Sequence, residues 1–433
     1  MLTVGNLVKN GIGTFAITKS IWGGTISTTS YTTPIDSLNA GTLKLLSTNS
    51  ISDSANLHIL SGATLDLNNN AETVGTIEGA GTITSASGIP VLTLSCTNTD
   101  SLVSTFSGSL GTIALTKNGI DTLILSGNNA TSFTGVATIT NGILKVAHAN
   151  ALGTTVSNTV VNTTGTLQIM GDGITLAEPI SISGTGFNSA GAIRNTSGIN
   201  YYAGAITVPL AASIVSAGSS ITGDSLVITS GGINLTNTLT INATMGVRIG
   251  IGNATGKITG AGGIIKTGTD TLVLNGTNDY TGTTSINTGV ISVENATALG
   301  AGGNAAYNTV VSSGAALYIV GSGFTIPEHI TLNGTGISSN GAIWLPSTSG
   351  ATTFTGIITS ATASRINNEG ASLLTLSTGG IVNTGGLTFG IKGTGDISVT
   401  GIISGTSLSL SSITKDGSGT GKLILGASNT YLG

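Results

Sequence analysis

The sequence predicts an all-β chain folded as a right-handed parallel β-helix, also called a β-solenoid, and three observations support this prediction. The chain of 433 residues contains 67 glycines and 6 prolines, only 7% of its residues are charged, and short alternating or β-branched segments recur along its length. Glycine supplies the positive φ angles that tight turns require. Because no stretch of a dozen residues places apolar residues at helical spacing, we expect strands and turns throughout.

A long internal repeat favours a solenoid over a sandwich or a barrel. Related segments begin at Lys9 (KNGIGTFAIT), Lys117 (KNGIDTLILS), Lys266 (KTGTDTLVLN) and Lys415 (KDGSGTGKLIL), and the last three starts are 149 residues apart. Tandem duplication without a visible linker predicts one continuous β-helix over residues 1–433, with no separate domain boundary. Stacked coils bring similar side chains into ladders, in which neutral Thr, Ser and Asn avoid the repulsion between like charges.

Composition excludes several classes of protein. The charge-free stretch between Arg194 and Asp224 is interrupted by Ser, Thr, Gly and Pro209, so we expect no transmembrane segment. With 13 basic and 17 acidic residues and no basic cluster, the chain is not expected to bind nucleic acid. Cys96 is the single cysteine, which rules out an intrachain disulfide. No signal peptide is visible at Met1, so an exported form of this chain is expected to be a mature part or a fragment.

The segment from Gly268, GTDTLVLNGTNDYTGTTSINTGVISVENATALG, resembles the passenger-associated transport repeat of bacterial autotransporters, also called the autotransporter-associated β-strand repeat. In the copy from Lys117, NNATSFTG replaces the Asn-x-Tyr-Thr-Gly corner of the repeat with a longer loop. The first copy departs further from the pattern, at KSIWGGTISTT. The signature residues of the four copies, which we expect to be structural, are Lys9, Gly11, Lys117, Gly119, Leu123, Leu125, Gly127, Lys266, Gly268, Leu272, Leu274, Gly276, Asn278, Tyr280, Gly282, Lys415, Gly417, Asn429 and Tyr431.

This resemblance implies a β-helical passenger that is secreted across the outer membrane through a C-terminal β-barrel, which is absent from this chain. It therefore implies a location outside the cell or on the bacterial outer-membrane surface. The corresponding function is a non-enzymatic stalk or adhesin scaffold, whose host or cell-surface ligand the sequence does not identify.

The residues that carry chemistry in other proteins form no convincing site in this sequence. Neighbouring coils could bring Asp100 near Asp121, but we expect both to be solvated corner residues. His58, His148 and His329 lack metal-ligand spacing, and Cys96 has no nearby histidine or basic residue to activate it. We therefore predict no catalytic residue, no metal and no cofactor.

The aromatic residues leave one question open. A binding surface could be formed by Trp22, Trp344, Tyr201, Tyr202 and Tyr318. Packing in the core or at corners is the interpretation that we favour for them.

Two alternative functions remain open at this point. An uncapped β-helix presents unpaired strand edges, so the chain could polymerise head to tail into a fibre. A carbohydrate-active enzyme is the other alternative, and it would require three carboxylates on one face of the solenoid.

Overall fold

A computed structural model describes residues 8–18, 36–97, 102–217, 225–249, 256–405 and 412–431 of the chain. These residues form 47 strands and three short 3₁₀ turns, and the described part contains no α-helix. Accordingly, none of its helical segments has the length and apolar character needed to cross a membrane. Trp22, Asp100 and the departure of the first repeat at residues 19–29 lie outside the described residues.

Up to residue 217 the strands and the first 3₁₀ turn are β1 (Val8–Lys9), β2 (Thr14–Ile17), β3 (Asp36–Leu38), β4 (Gly41–Leu45), β5 (Asn56–Ile59), β6 (Ala63–Asp66), β7 (Glu72–Val74), β8 (Thr76–Gly79), β9 (Thr82–Thr84), β10 (Val91–Leu94), β11 (Val103–Phe106), β12 (Ser109–Leu110), β13 (Ala114–Lys117), β14 (Thr122–Leu125), β15 (Ala137–Val146), β16 (Thr159–Ile169), β17 (Thr175–Leu176), β18 (Ile180–Ile182), the 3₁₀ turn Phe187–Ser189, β19 (Ile193–Asn195), β20 (Ile199–Tyr202), β21 (Ile206–Val208) and β22 (Ala212–Ser216).

From residue 225 onward they are β23 (Ser225–Ile228), β24 (Ile233–Leu235), β25 (Leu239–Ala243), β26 (Gly246–Ile249), β27 (Ile258–Thr259), β28 (Ile264–Thr267), β29 (Thr271–Leu274), β30 (Thr284–Ile286), β31 (Gly289–Val293), the 3₁₀ turn Ala305–Tyr307, β32 (Thr309–Val311), β33 (Ala315–Ile319), β34 (Phe324–Ile326), β35 (Ile330–Leu332), the 3₁₀ turn Ile337–Ser339, β36 (Ile343–Leu345), β37 (Thr352–Phe354), β38 (Ile358–Ser360), β39 (Ser364–Asn368), β40 (Leu374–Leu376), β41 (Ile381–Asn383), β42 (Leu387–Ile391), β43 (Ile397–Val399), β44 (Ile403–Gly405), β45 (Ile413–Asp416), β46 (Leu423–Leu425) and β47 (Thr430–Tyr431).

The chain divides into two compact units, Met1–Thr207 with Ala212–Val215, and Val208–Ala211 with Ser216–Gly433. In the first unit, parallel pairing joins strands of successive coils into three rows. The rows are β2-β4-β6-β9-β12, β3-β5-β8-β11-β14-β15-β16-β19 and β7-β10-β13-β15-β16-β18-β21. The long strands β15 and β16 belong to two rows, and their pairing shifts register between Ile139 and Asn141.

The second unit has the same plan. Its rows are β29-β31-β33-β36-β39-β42-β45, β34-β37-β40-β43-β46 and β28-β30-β32-β35-β38-β41-β44-β47, and the pairing is parallel in all three. Each strand pairs with the strand one coil away, which is the defining feature of a β-solenoid. The predicted all-β solenoid is therefore confirmed. The continuity of one β-helix over residues 1–433 stays a prediction.

The core of each unit consists of ladders of aliphatic side chains. In the second unit the fully buried residues Leu272, Ile291, Leu317, Ile343, Ile366 and Phe389 follow one another in register. Their neighbours along each strand point outward, because successive side chains alternate between the two faces of a strand. Burial of a large apolar side chain contributes about 1.5–3 kcal/mol, so such ladders are the main stabilising feature of the stack.

Candidate functional site

The lysine that begins each repeat is buried in the two central copies. Lys266 is fully buried at the end of β28, and its Nζ donates to the backbone oxygens of Thr267 at 2.7 Å, Gly268 at 2.8 Å and Thr288 at 3.2 Å. Thr288 lies in the next coil, so the ammonium group joins two coils. Burial lowers the pKa of Lys266 to about 8, and the nearby carboxylate of Asp270 opposes this shift.

In the copy from Lys117, a carboxylate enters the same arrangement. Nζ of Lys117 donates to the backbone oxygen of Gly119 and lies 2.6 Å from Oδ1 of Asp121, and both charged side chains are buried. Burial lowers the pKa of Lys117 and raises that of Asp121, while the attraction between the two groups opposes both shifts. Asp121 is therefore an interior residue, contrary to the expectation that it is a solvated corner residue.

A glycine of the next coil lies directly over each of these lysines. A Cβ on Gly289 would lie 2.4 Å from the oxygen of Gly268 and 2.8 Å from Nζ of Lys266, and φ of Gly289 is +73°. Gly142 has the same relationship to Gly119 and Lys117, with φ of +74°. We call this arrangement the lysine clasp: the lysine, the glycine two residues later, and the glycine of the next coil.

The first and fourth copies keep parts of the clasp. Lys9 donates to the backbone oxygens of Gly11 and Ala40, the latter at 3.2 Å, and Gly41 follows with φ of +70°. Lys415 is exposed on β45, and Gly417 follows it with φ of +107°. The lysine was recognised from the sequence as a landmark, but its role as an inter-coil donor was not.

The asparagine of the repeat connects three successive coils. Oδ1 of Asn278 accepts from the backbone N–H of Ile258 at 2.8 Å, and its Nδ2 donates to the backbone oxygen of Ala298 at 2.6 Å. Asn129 repeats this bridge with Leu110 at 2.9 Å and with Ala151 at 3.0 Å. In the fourth copy, Oδ1 of Asn429 accepts from the N–H of Ile403 at 2.8 Å.

The aromatic residue of the repeat fills the interior at the following corner. Tyr280 is buried, and its hydroxyl lies 2.6 Å from Oγ1 of Thr284. Phe133 is fully buried in the copy from Lys117. The sequence NNATSFTG therefore keeps both functions of the corner, with Asn129 as the bridge and Phe133 in the core. Two extra residues between Asn129 and Phe133 prevented this match from being recognised in the sequence.

The remaining signature residues belong to the same interior framework. The buried positions are Gly119, Leu123, Leu125, Gly127, Leu272, Leu274 and Gly276, while Gly268, Gly282, Asn429 and Tyr431 are half-buried. All of these residues lie on strands or turns that face a neighbouring coil. Their expected role as structural residues is consistent with this placement.

Two buried glutamates occupy matching positions 150 residues apart. Oε1 of Glu328 accepts from Oγ1 of Thr309 at 2.9 Å, whereas Oε2 of Glu178 has no hydrogen-bond partner in the described part of the chain. Burial raises the pKa of both carboxyl groups to about 8. Below that pH both side chains are mainly neutral, which agrees with their place in the interior.

One surface of the second unit carries an unusual group of side chains. Five positions follow one another in register on β33, β36, β39, β42 and β45, and we call them the aromatic row: Tyr318, Trp344, Asn367, Gly390 and Asp416, of which Asn367 and Gly390 are buried. The rings of Tyr318 and Trp344 are half-buried, 4.4 Å apart between centroids and nearly perpendicular. By contrast, Tyr202 is buried and donates to the backbone oxygen of Glu178 at 2.7 Å.

Charged groups surround the aromatic row. Arg365 forms a bidentate ion pair with Asp416 at 2.6 and 2.7 Å. Nζ of Lys392 lies 3.1 Å from Oε1 of Glu369, which also accepts from Nδ2 of Asn367 at 3.2 Å. Burial, together with the carboxylate of Glu369, raises the pKa of Tyr318.

The other sequence candidates are not brought together into a site. Nδ1 of His58 lies 3.8 Å from Oε1 of Glu78, and Nδ1 of His148 accepts from the N–H of Asn150 at 3.0 Å, so both have local partners. Cys96 is buried next to Gly119. Within the described ranges, no group of three His, Cys, Asp or Glu side chains could hold a metal ion.

Comparison with known proteins identifies the repeat. The Passenger-associated-transport-repeat family matches residues 115–146, 264–293 and 413–433, which contain the lysine, asparagine and aromatic positions of three copies. The segment from Lys9 lies outside these matches, although it carries the same lysine contacts.

A curated protein is also similar to the chain. The Adhesin BmaC autotransporter of Brucella suis biovar 1 (strain 1330) is 29% identical over 298 residues, which is 53% of this chain and 9% of that protein. The match thus spans about a tenth of the length of the relative. No solved structure matches the chain. The matched repeats, the parallel solenoid and this similarity support an autotransporter passenger with passenger-associated transport repeats, which implies a place outside the cell or on the outer-membrane surface.

Proposed function

We propose that the chain is a non-enzymatic adhesin scaffold, which holds an adhesive surface away from the bacterial cell. The observation that carries this proposal is the recurrence of the lysine clasp and the asparagine bridge in successive copies. The hydrogen bonds of the clasp and of the bridge connect neighbouring coils and do not line a pocket. They suit a chain whose task is to extend a stack in register and to present its outer faces.

The similarity to a protein named as an adhesin supports the adhesive part of the proposal. The low fraction of charged residues supports the scaffold part, because ladders of neutral side chains allow coils to stack without repulsion. The few charged residues on the aromatic row stand out against this background.

Surface display tests the proposal. Bacteria that carry the chain fused to an unrelated outer-membrane anchor should bind to cultured epithelial cells more strongly than bacteria that carry the anchor alone. A display control with Gly142→Ala and Gly289→Ala, which disrupts two lysine clasps, should lose this binding in parallel with the loss of β structure. Equal binding by the anchor alone and by the fusion would refute the adhesive function.

A further inference from the structure

The aromatic row departs from the neutral ladders that make up most of the outer surface. Along this row, Tyr318, Trp344, Asn367, Gly390 and Asp416 are aligned across five coils. Asp416 in the row is charged, and three further charged residues lie beside it, Arg365, Glu369 and Lys392, in a chain in which only 7% of residues are charged. Contacts among these side chains also join neighbouring coils, but the neutral ladders elsewhere stack without such a concentration of aromatic and charged groups.

The centre of the row holds polar atoms that lack protein partners. In the described residues, Nε1 of Trp344, Nε of Arg365 and Oδ1 of Asn367 are buried without a hydrogen bond. Asn367 itself is fully buried. Buried polar groups are almost always paired in native proteins, and each unpaired group costs about 1–3 kcal/mol. Such groups at one place mark a part of the surface whose hydrogen bonds the fold itself leaves incomplete.

Gly390 explains how these atoms come together. A Cβ at this position would lie 2.5 Å from Nη2 of Arg365, 2.7 Å from Oδ1 of Asn367 and 2.8 Å from Nε of Arg365. The missing side chain therefore lets the guanidinium group lie flat over the backbone of β42. Arg365 is held there by its two contacts with Asp416.

We propose that the aromatic row is a binding site for a neutral oligosaccharide, which lies along the stack of coils. Aromatic rings offer apolar faces and edges to sugar rings, while the amide, carboxylate and guanidinium groups supply donors and acceptors for hydroxyl groups. Neighbouring coils are about 4.8 Å apart, which is close to the length of one pyranose unit. One sugar unit would therefore span about one coil, and the accessible members of the row that it could contact are Tyr318, Trp344 and Asp416.

The charges and the strand pairing favour a glycan over other ligands. Arg365 and Lys392 are balanced by Asp416 and Glu369, so the site has no net preference for an anion such as nucleic acid. Addition of a peptide strand needs a free sheet edge, but β36, β39 and β42 are paired on both sides. This inference deepens the proposed adhesive function, since it names the class of ligand that the scaffold presents.

Tryptophan fluorescence provides a direct test on the full chain. The sequence contains two tryptophans, so Trp22→Phe leaves Trp344 as the single indole. In this background, one or more of lactose, cellotriose, maltotriose and chitotriose should change the emission of Trp344 in a saturable way. Tyr318→Ala should weaken that saccharide at least tenfold, and Arg365→Lys, which loses the bidentate geometry, should also weaken it.

Two controls keep the test specific. Tyr201→Ala removes a half-buried tyrosine from β20, outside the aromatic row, and should bind the saccharide as the parent does. Circular dichroism must show unchanged β structure in every variant.

A further variant tests the site itself. Gly390→Ala places a methyl group against the guanidinium of Arg365 and should weaken saccharide binding without changing the core.

The inference is overturned if none of the four saccharides binds at millimolar concentration, or if folded Tyr318→Ala binds as the parent does. Binding of a peptide library to the row, without binding of any saccharide, would overturn it as well. Adhesion of displayed bacteria that survives Tyr318→Ala would refute the glycan site and leave the adhesive function intact. Saccharide binding by a chain that mediates no adhesion would refute the adhesive function and leave the glycan site intact.

Discussion

Nζ of Lys117 lies 2.6 Å from Oδ1 of Asp121, and both side chains are buried between two coils of the solenoid. The matching Lys266 has no such contact and is satisfied by three backbone oxygens instead. The repeat therefore accommodates a buried ammonium group in two ways, by an ion pair with a carboxylate or by hydrogen bonds to backbone oxygens. Lys266 also donates to Thr288 of the coil that follows, whereas Lys117 bonds within its own turn and lies beneath Gly142 of the next coil.

Removal of one member of the Lys117–Asp121 pair should destabilise this region strongly. Asp121→Ala leaves the ammonium of Lys117 buried without its counter-ion, and we expect a loss of about 3 kcal/mol or more. Urea unfolding followed by circular dichroism measures the loss, and hydrogen exchange over residues 115–146 localises it. Lys145→Met, on an outward position of β15, is the matched control and should change stability by less than about 0.5 kcal/mol.

The double variant Lys117→Met with Asp121→Leu gives a second check on this pair. It removes both charges at similar volume, so it should be more stable than Asp121→Ala. If Asp121→Ala unfolds at the same urea concentration as the parent, the pair does not hold the coils together.

The asparagine bridge should be equally sensitive to change. Asn278→Ala removes two hydrogen bonds to different coils and leaves a buried N–H of Ile258 and a buried oxygen of Ala298 without partners. Each unpaired group costs about 1–3 kcal/mol, so we expect a loss of about 2–4 kcal/mol. The amide of Ile258 should also exchange faster, which mass spectrometry after hydrogen exchange detects. Exposed Asn287→Ala serves as the control, and equal exchange in both variants would contradict the bridge.

Two glycine substitutions distinguish the stability cost of backbone strain from the cost of a clash between stacked coils. Gly289 and Gly314 have φ of +73° and +80°, but a Cβ would meet backbone atoms only at Gly289. Gly314→Ala should therefore cost about 1 kcal/mol from strain alone. Gly289→Ala must also move the Gly268 oxygen or Lys266, and its melting temperature should fall several degrees further. Equal melting temperatures of the two variants would show that the clasp accepts a methyl group.

The fold could be predicted from the sequence because stacking repeats the same requirement in every coil. Alternating aliphatics such as Leu272 and Leu274 recur beside turn glycines, and this pattern needs no knowledge of distant contacts. The burial of Lys117 was not visible, because a lysine is normally exposed and only the following coil covers it.

The sequence named Tyr318 and Trp344 among candidates for a binding surface, but it could not show that they lie side by side. Tyr318 and Trp344 are 26 positions apart in the sequence and meet because β33 and β36 pair in that register. Arg365 on β39 and Asp416 on β45 are 51 positions apart, and the coil that contains β42 lies between them. The register depends on the length of every loop between them, and the sequence pattern does not fix those lengths. The equivalence of Asn129 and Phe133 to Asn278 and Tyr280 was missed for the same reason, because two inserted residues change the spacing between the asparagine and the aromatic residue.

The two buried glutamates should make stability fall as pH rises. Burial raises the pKa of Glu178 and Glu328 to about 8, from an ordinary value of 4.5 in the unfolded chain. The folded chain therefore binds more protons than the unfolded chain between these values, and the free energy of unfolding decreases with pH across that window. The contribution is fully present below about pH 4.5 and is lost above about pH 8, with up to about 5 kcal/mol at stake for each residue.

A neutral replacement isolates this effect at Glu328. Glu328→Gln keeps an oxygen that accepts from Thr309 and removes the titrating proton. Thermal unfolding at pH 5, 7 and 9 should show the variant close to the parent at pH 5 and more stable than the parent at pH 9. Glu78→Gln, at a more exposed position on β8, should follow the parent at each pH. If Glu328→Gln has the same pH dependence as the parent, the carboxyl group of Glu328 is already ionised in the folded chain, and its burial does not keep the proton in place.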